Sequence, residues 1–292
     1  MLTDYCRSRV SQIEAGLAGI LTSLGSQPPL IFEAMKYSLF AGGKRIRPIL
    51  LMAAADAVGG DGSCYMHVAC GLEMIHTYSL IHDDLPAMDD DDLRRGKPTN
   101  HKVFGEGIAV LAGDGLLTAA FEVMLSQPQV KPDVLVAVVR GIAAAAGATG
   151  MVGGQVVDLM SEGKSIDAAT LKFMHQAKTG ALFRAALTSG ALLAGASAGQ
   201  VAALTEYAEQ FGLAFQITDD ILDVAGSSES IGKPVGSDAK NNKVTYVTLY
   251  SLPEAERMAR QAVDAALEAL SGFGGEADIL RELVRYLINR KS

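Results

Sequence analysis

Two clusters of aspartate residues have the side chains and the spacing that bind a hard divalent cation. In the later cluster, Asp219 and Asp223 are four residues apart in a segment of helical apolar spacing, so they share one helix face, about one turn apart. Like charges at this spacing repel each other, and a bound cation would offset the repulsion. Mg2+, which binds one or two protein carboxylates together with substrate phosphates, fits best. A solvated acidic face is the alternative, but the neighbouring Ile221 and Leu222 favour a buried setting.

The earlier cluster is interrupted by a proline, which determines how its carboxylates can meet. Asp83 and Asp84 precede Pro86, and Asp89 to Asp92 follow it. Because a proline breaks a helix interior, the helix is predicted to end near Asp84, and the loop can then bring Asp89 back towards Asp83. The alternating ligands and the closing glutamate of an EF-hand are absent. A cation site shared by the two clusters is favoured over an acidic surface loop.

Basic residues beside small ones are candidates for binding the anion that such a metal would hold. The segment GGKRIRP (residues 42–48) places Lys44 and Arg47 about one turn apart, behind two glycines that let a ligand approach the backbone. His76 precedes Asp83 by seven residues and shares its helix face, although a lone histidine there is usually only packed. One guanidinium group can donate two parallel hydrogen bonds to phosphate oxygens. The two arginines after the earlier cluster, Arg94 and Arg95, are therefore candidates for phosphate binding. The candidate cations are Lys44, Arg47, His76, Arg94, Arg95, Lys178 and Lys233.

The composition limits the class of protein. The chain has 292 residues, of which 49% are hydrophobic and 20% charged, and a formal net charge of -8. These values describe a globular protein with a large core, and the absence of a basic run argues against a nucleic-acid binder. Three cysteines without metal-ligand spacing indicate thiols in a reducing compartment. Charged residues at positions 4, 7 and 9 interrupt the apolar core that an export signal needs, so a cytoplasmic protein is expected.

The pattern along the chain predicts helices throughout. Alternating β-branched runs are scarce, and breaks containing Gly or Pro separate stretches of helical length. The uncharged stretch from Ala185 to Thr205 is long enough to span a membrane, but its glycines and polar residues are typical of packed helices, so no membrane insertion is expected. We therefore predict one all-α domain over residues 1–292.

The motifs, taken in order, resemble those of the trans-isoprenyl diphosphate synthases, or polyprenyl synthetases. They are GGKRIRP, HDDLPAMDDDDLRRGKPTNHKVFGE, GGQVVDL, KTGALF, FQITDDILD and GKPVGSD, and they span residues 42–238. The two additional residues between Asp84 and Asp89 are similar to those of the bacterial farnesyl diphosphate synthase and plant-type geranylgeranyl synthase branches. The resemblance implies a single-domain isoprenoid-synthase helical bundle around a central cavity. One departure is Val247, which follows Tyr246 where the family usually has proline.

The resemblance also implies an activity, with isopentenyl diphosphate and an allylic diphosphate (dimethylallyl or geranyl) as substrates. Their magnesium-dependent head-to-tail condensation gives (2E,6E)-farnesyl diphosphate and pyrophosphate. By motif, three Mg2+ ions, for which Mn2+ can substitute, would be bound by Asp83, Asp84, Asp89, Asp219 and Asp223. The implied catalytic residues, which also bind the allylic diphosphate, are Arg94, Lys178, Thr179, Gln216 and Lys233. The implied isopentenyl diphosphate ligands are Lys44, Arg47, His76 and Arg95. A homodimer is implied as well.

Product length is expected to depend on residues about one turn before Asp83, because helical side chains lean towards the N-terminus and would cover the cavity floor. Spacing alone favours Ser79. The resemblance favours Tyr78, since an aromatic residue at that position is similar to the farnesyl-producing pattern.

Three alternatives remain open. A geranylgeranyl or geranyl diphosphate synthase would differ mainly at the cavity floor. A terpene cyclase shares the fold and the first motif, but its second metal motif usually mixes Asn, Ser or Thr and Glu, unlike Asp219, Asp220 and Asp223. A non-catalytic partner subunit would be expected to lack one aspartate motif, and both are intact.

Overall fold

A computed structural model of the chain describes residues 1–225 and 243–289. The first half contains the helices α1 (Leu2–Leu24), α2 (Pro29–Leu39), α3 (Ile46–Ala57), α4 (Met66–Asp83), α5 (Asn100–Phe104), α6 (Glu106–Leu125) and α7 (Pro132–Ala146). The second half contains α8 (Met151–Ser161), α9 (Ala168–His175), α10 (Ala181–Leu193), α11 (Ala198–Ala225), α12 (Tyr246–Tyr250), α13 (Leu252–Ala269) and α14 (Asp278–Asn289). Short 3-10 segments cover Gly62–Tyr65 and Gly275–Ala277. The predicted all-α class is confirmed.

A two-stranded hairpin follows the earlier aspartate cluster. Strand β1 (Leu93–Arg94) pairs antiparallel with β2 (Lys97–Pro98). The two residues between the strands, Arg95 and Gly96, both have positive φ angles, of 54° and 75°. Two central residues of positive φ are the requirement of the tight hairpin turn that matches strand twist. Arg94 therefore belongs to strand β1, whereas the adjacent Arg95 belongs to the turn.

The central helices are buried around most of their circumference, whereas the outer ones bury a single face. Helix α4 packs on α3 and α6, and α10 packs on α3, α7 and α11. On the outside, α14 buries Leu280, Leu283, Val284 and Leu287, whose spacing defines one helical stripe. A second, smaller apolar cluster joins α9, α11, α12 and α13. The helices that carry the aspartate motifs, α4 and α11, are thus held by the core.

A π-helical segment, Gln176–Gly180, joins α9 to α10 without a break in the helix. The extra residue of a π turn bulges the backbone, and such bulges are frequent at functional sites. Helix α8 packs directly against this segment, because Gly154 has no side chain: a Cβ there would collide with the backbone of Lys178. The bulge and the close packing of α8 together position Lys178 and Thr179.

Candidate active site

A cavity of about 480 Å3 lies between the two aspartate clusters. Helices α4, α8 and α11, the π segment and the chain just before α12 provide its walls. Its charged and polar lining residues are Lys44, Asp83, Asp89, Arg94, Asp158, Ser161, Glu162, His175, Lys178, Thr179, Gln216, Asp219, Asp220, Asp223, Lys243 and Thr245. Nine of the residues predicted from the sequence are in this set: Lys44, Asp83, Asp89, Arg94, Lys178, Thr179, Gln216, Asp219 and Asp223.

The earlier cluster has the predicted geometry. Helix α4 ends at Asp83, and the backbone N–H of Asp89 donates to the carbonyl oxygen of Asp83 at 2.8 Å, so the loop turns back on the helix end. Burial, followed by the negative charges of Asp89 and Asp84, raises the pKa of Asp83 to about 6, against the opposing charge of Lys178. A buried carboxylate next to like charges is stabilised by a cation. The predicted helix end near Asp84 is confirmed.

Asp84 has a different environment from its neighbour. It is 3% exposed, and the Nε of Arg94 donates to its Oδ1 at 2.6 Å. Arg94 also contacts Asp91, at 3.4 Å. These two carboxylates orient Arg94, which lines the cavity. Asp84 itself lines a much smaller pocket beside the hairpin. Metal binding by Asp84 stays a prediction.

The later cluster lies on α11, across the cavity from α4. Asp219 and Asp223 line the cavity, one turn apart as predicted. Within residues 1–225 and 243–289, no three Asp, Glu, His or Cys side chains are close enough to hold a metal by themselves. The available ligands are carboxylate oxygens, which Mg2+ prefers, and Mg2+ commonly completes its shell with water and substrate phosphate. These residues fit an ion that is shared with a phosphate ligand.

Two lysines neutralise part of the negative charge in the cavity. The Nζ of Lys178 lies 2.6 Å from Asp158, and the Nζ of Lys243 lies 3.7 Å from Asp89 and 3.9 Å from Asp158. Burial alone would raise the pKa of Asp158, but Lys178 and Lys243 hold it below its usual value. Both cations therefore have carboxylate partners that an incoming anion would compete with.

A second group of basic residues lies near the N-terminal end of α3. The guanidinium of Arg47 stacks 4.9 Å from the ring centroid of Phe183, and its enclosed Nε has no hydrogen-bond partner within the described residues. Burial, with a contribution from Arg95, lowers the pKa of Arg47 to about 10. Burial, followed by Arg47 and Arg95, also holds the pKa of His76 well below its usual value. Cations this close together are stabilised by an anion, as the predicted diphosphate site requires.

The polyprenyl synthetase family model matches residues 28–287. The chain belongs to the polyprenyl synthetase family. A farnesyl diphosphate synthase from Geobacillus stearothermophilus is 53% identical over 265 residues, which cover 90% of this chain and 89% of that protein. A geranylgeranyl diphosphate synthase from Cyanophora paradoxa is 47% identical, with 91% and 89% covered. The crystal structure of an FPP/GFPP synthase from Zymomonas mobilis superimposes with a TM-score of 0.87 at 37% identity, over 99% of this chain and 100% of that one.

Some of the residues predicted for this polyprenyl synthetase lie outside the main cavity. Arg47, His76 and Arg95 form the separate basic group described above, and the guanidinium of Arg95 donates to the carbonyl oxygen of Gly42. Tyr78 is 6% exposed, and its ring meets that of His82 edge-on, at 5.6 Å between centroids. The hydroxyl of Ser79 donates to the carbonyl oxygen of His76 at 2.9 Å.

The roles of these residues stay predictions, as do the substrate roles of those in the cavity. Lys233, and the GKPVGSD motif that contains it, lie outside the described residues.

The sequence interpretation missed Asp158 and Lys243, which line the polyprenyl synthetase cavity, and Arg45, which is buried and supports the GGKRIRP segment. Asp158 belongs to the GGQVVDL motif, but nothing local distinguishes its carboxylate from a surface one. Lys243 lies in the segment that departs from the family pattern. Arg45 was passed over between Lys44 and Arg47, although a basic residue in a glycine-rich turn is a signal that could have identified it.

Arg45 holds the GGKRIRP segment in place. It is 2% exposed, and its Nε and Nη1 donate to Glu14 and Glu73 at 2.8 Å and 2.7 Å. Its Nη2 donates to the carbonyl oxygen of Leu39 at 2.6 Å. The backbone of Arg45 is left-handed, with φ of 50°, where a non-glycine residue needs strong side-chain contacts to persist. These contacts fix the start of α3 and hence the positions of Lys44 and Arg47.

Proposed function

We propose that this protein is a magnesium-dependent farnesyl diphosphate synthase. It would condense isopentenyl diphosphate head-to-tail with dimethylallyl or geranyl diphosphate, giving (2E,6E)-farnesyl diphosphate and pyrophosphate. The observation that carries the proposal is a cavity lined by Asp83 at the end of α4, by Asp89 in the loop after it and by Asp219 and Asp223 on α11, together with Lys178 and Arg94. The farnesyl diphosphate synthase from Geobacillus stearothermophilus, at 53% identity, supports the same product.

The cavity residues suit the loss of a diphosphate leaving group. When bound, Mg2+ neutralises charge that develops on the leaving oxygens. We assign its binding, as three ions or as Mn2+ in their place, to the predicted aspartates: Asp83, Asp84, Asp89, Asp219 and Asp223. Arg94, Lys178 and Lys233, together with Lys243, add fixed positive charge on the same oxygens. Arg94, Lys178 and Lys243 would exchange their carboxylate partners for phosphate oxygens.

Thr179 and Gln216 are suited to stabilise the allylic carbocation that remains when the diphosphate leaves. The hydroxyl of Thr179 lies 3.4 Å from the Oε1 of Gln216 at the cavity wall. Hydroxyl and amide oxygens offer the negative ends of fixed dipoles, which stabilise a cation without the strong nucleophilicity of a carboxylate or an amine.

The second substrate would bind at the basic group formed by Lys44, Arg47, His76 and Arg95. A diphosphate there would relieve the repulsion between Arg47 and Arg95. Because its pKa is held well below the usual value, His76 would be a weak proton acceptor and would donate a hydrogen bond from its ring N–H to the diphosphate. The double bond of isopentenyl diphosphate attacks the allylic carbon, and the departing pyrophosphate accepts the proton released.

A fifteen-carbon product is favoured over a longer one by Tyr78. Geranylgeranyl diphosphate synthase is the nearest alternative, and the relative from Cyanophora paradoxa, at 47% identity, carries that name. The buried ring of Tyr78 lies on α4, before the metal-facing Asp83, where it would block a growing chain. A terpene cyclase and a non-catalytic subunit are less consistent with two intact aspartate motifs.

We further propose a soluble, cytoplasmic homodimer. Two stretches are long and apolar enough to cross a membrane, Glu106–Leu125 and Pro132–Ser161. The second is divided between α7 and α8 and includes Asp158, which pairs with Lys178 in the internal cavity. A lipid setting is therefore disfavoured for it. The apolar side chains exposed on α6 and α7 are better covered by a second copy of the chain.

The decisive test is incubation of the purified protein with isopentenyl diphosphate and either allylic primer, followed by product sizing. We expect farnesyl diphosphate from both primers, no product after EDTA, and recovery with Mg2+ or Mn2+. Asp83→Asn and Asp219→Asn should each reduce kcat at least about 100-fold, because each removes charge that holds the metal at the leaving group. Asp264→Asn, on the exposed face of α13, is the matched control.

Three results would contradict the proposal. Activity that survives EDTA would refute the metal requirement. A twenty-carbon main product would favour the geranylgeranyl alternative. Complete inactivity of the wild-type protein with every primer would favour a non-catalytic role.

A further inference from the structure

The middle aspartate of the later cluster, Asp220, lies at the wall of the same cavity as Asp219 and Asp223 and is joined to the protein by two hydrogen bonds. Asp220 is 3% exposed, and both of its carboxylate oxygens accept hydrogen bonds from the protein. Its Oδ1 accepts from the Nε2 of Gln216 at 3.0 Å, and its Oδ2 accepts from the backbone N–H of Tyr246 at 2.8 Å. One carboxylate thus joins α11 to the first residue of α12.

The first of these hydrogen bonds determines which way the amide of Gln216 points. An ionised carboxylate can only accept, so the end of the amide that faces Asp220 must be its NH2 group. The opposite end, Oε1, then faces the hydroxyl of Thr179, 3.4 Å away. A reversed amide would direct N–H donors at Thr179 and, in the proposed reaction, the positive end of a dipole at a carbocation.

The second hydrogen bond, from the backbone N–H of Tyr246, connects Asp220 to the residues beside the π segment. The ring of Tyr246 stacks on His175, with 5.6 Å between centroids and 22° between planes. His175 is the residue immediately before the π segment that carries Lys178 and Thr179. Asp220 therefore links α11, α12 and the π segment, and it also fixes the chain three residues after Lys243.

We propose that Asp220 is a positioning residue that holds the carbonyl oxygen of Gln216 towards the reacting carbon and anchors the start of α12. In this assignment Asp219 and Asp223 bind the metal, and Asp220 positions Gln216 and the start of α12. The inference rests on the prenyl transfer proposed above and gives one aspartate of the motif a separate task.

Asp220→Asn tests this assignment without a change in size. Asparagine has one acceptor oxygen and one donor NH2, so it cannot accept from both Gln216 and Tyr246. We expect kcat to fall about 10- to 100-fold, the effect of misplacing a group that faces the reacting atoms. The KM values of both diphosphates and the Mg2+ concentration for half-maximal rate should stay within about twofold of wild type, because no ligand contact is removed.

Two comparisons make the result specific. Asp219→Asn, a change at a proposed metal ligand, should raise the Mg2+ concentration for half-maximal rate, and Asp264→Asn should change nothing. The assignment is overturned if Asp220→Asn raises the Mg2+ requirement as Asp219→Asn does, or if it leaves kcat unchanged. An inactive wild-type protein would refute the proposed function instead, so the two failures are distinguishable.

A double-mutant cycle separates positioning from loss of stability. Gln216→Met keeps the size of the side chain but removes the amide that Asp220 orients. If Asp220 acts through this amide, adding Asp220→Asn to Gln216→Met should lower kcat by no more than about threefold further. Fully additive losses in kcat, with thermal unfolding recorded for all four proteins, would show that Asp220 acts elsewhere and would overturn the assignment.

Discussion

At the scale of single residues, one carboxylate in each pair of adjacent aspartates is held by hydrogen bonds from within the fold. Asp83 lines the cavity, while Asp84 pairs with Arg94. Asp219 and Asp220 both line the cavity, and Asp220 also accepts hydrogen bonds from Gln216 and Tyr246. Consecutive helical residues differ by about 100° in direction, so two neighbours on one helix cannot both face the same ion squarely. A doublet of aspartates can therefore supply one ligand and one anchor.

The residue-scale prediction concerns product length. Tyr78→Ala should extend the main product beyond fifteen carbons, because it removes a buried ring that lies on α4 before Asp83. Truncating a buried aromatic side chain costs about 3–5 kcal/mol of stability, so activity should be assayed well below the unfolding temperature. The measurement is chromatography of the dephosphorylated products.

Ser79→Ala is the informative comparison for Tyr78→Ala. It removes only a hydroxyl that bonds within the helix, to the carbonyl oxygen of His76, and should leave product length unchanged. Longer products from Ser79→Ala and an unchanged product from Tyr78→Ala would transfer the floor assignment to Ser79, as the helical spacing alone favours.

At the scale of elements, the start of α3 depends on one buried ion pair. The side chains of Arg45 and Glu73 are almost completely buried and meet at 2.7 Å. Arg45→Met should lower the free energy of unfolding by about 3–5 kcal/mol, because it leaves the carboxylate of Glu73 buried without its partner. Chemical denaturation measures this change. It should also raise the KM for isopentenyl diphosphate, since Lys44 and Arg47 flank Arg45.

Arg257→Met, on α13, is the matched control for Arg45→Met. Its ion pair with Glu254 is largely solvent-exposed, so the free energy of unfolding should fall by no more than about 1 kcal/mol. Equal decreases in the free energy of unfolding for the two variants would contradict the prediction that the buried ion pair of Arg45 and Glu73 stabilises the start of α3.

Elements defined by local chemistry were predictable from the sequence, and contacts defined by packing were not. Pro86 alone determines that α4 stops near Asp84, and four-residue spacing places Asp219 and Asp223 on one face of α11. The packing of α8 against the π segment joins residues that are distant in sequence, which local patterns do not predict. For the same reason Asp158, which meets Lys178 through that packing, could not be singled out from its motif.

At the scale of the whole molecule, two neighbouring helices, α6 and α7, expose several large apolar side chains. Large hydrophobic side chains are exposed at Val110, Leu111 and Leu125 on α6 and at Val136 on α7. Helices α6 and α7 contact each other, so these side chains are carried by adjacent elements of the bundle. Exposed apolar patches of this kind mark sites of association, and a twofold homodimer covers the same patch on both copies.

Leu111→Lys tests the proposed dimer interface, since Leu111 is 55% exposed and its replacement should not disturb the core of one subunit. In a twofold dimer the substitution appears on both sides of the contact. An unpaired buried charge costs about 3–5 kcal/mol, so the dissociation constant should rise at least about 100-fold. Light scattering after gel filtration should then report a monomer at micromolar protein, whereas Tyr286→Lys, an exposed position on α14, should remain dimeric. A dimer that survives Leu111→Lys but dissociates in Tyr286→Lys would place the interface instead on the face of α14, which packs against α1, α3 and α13.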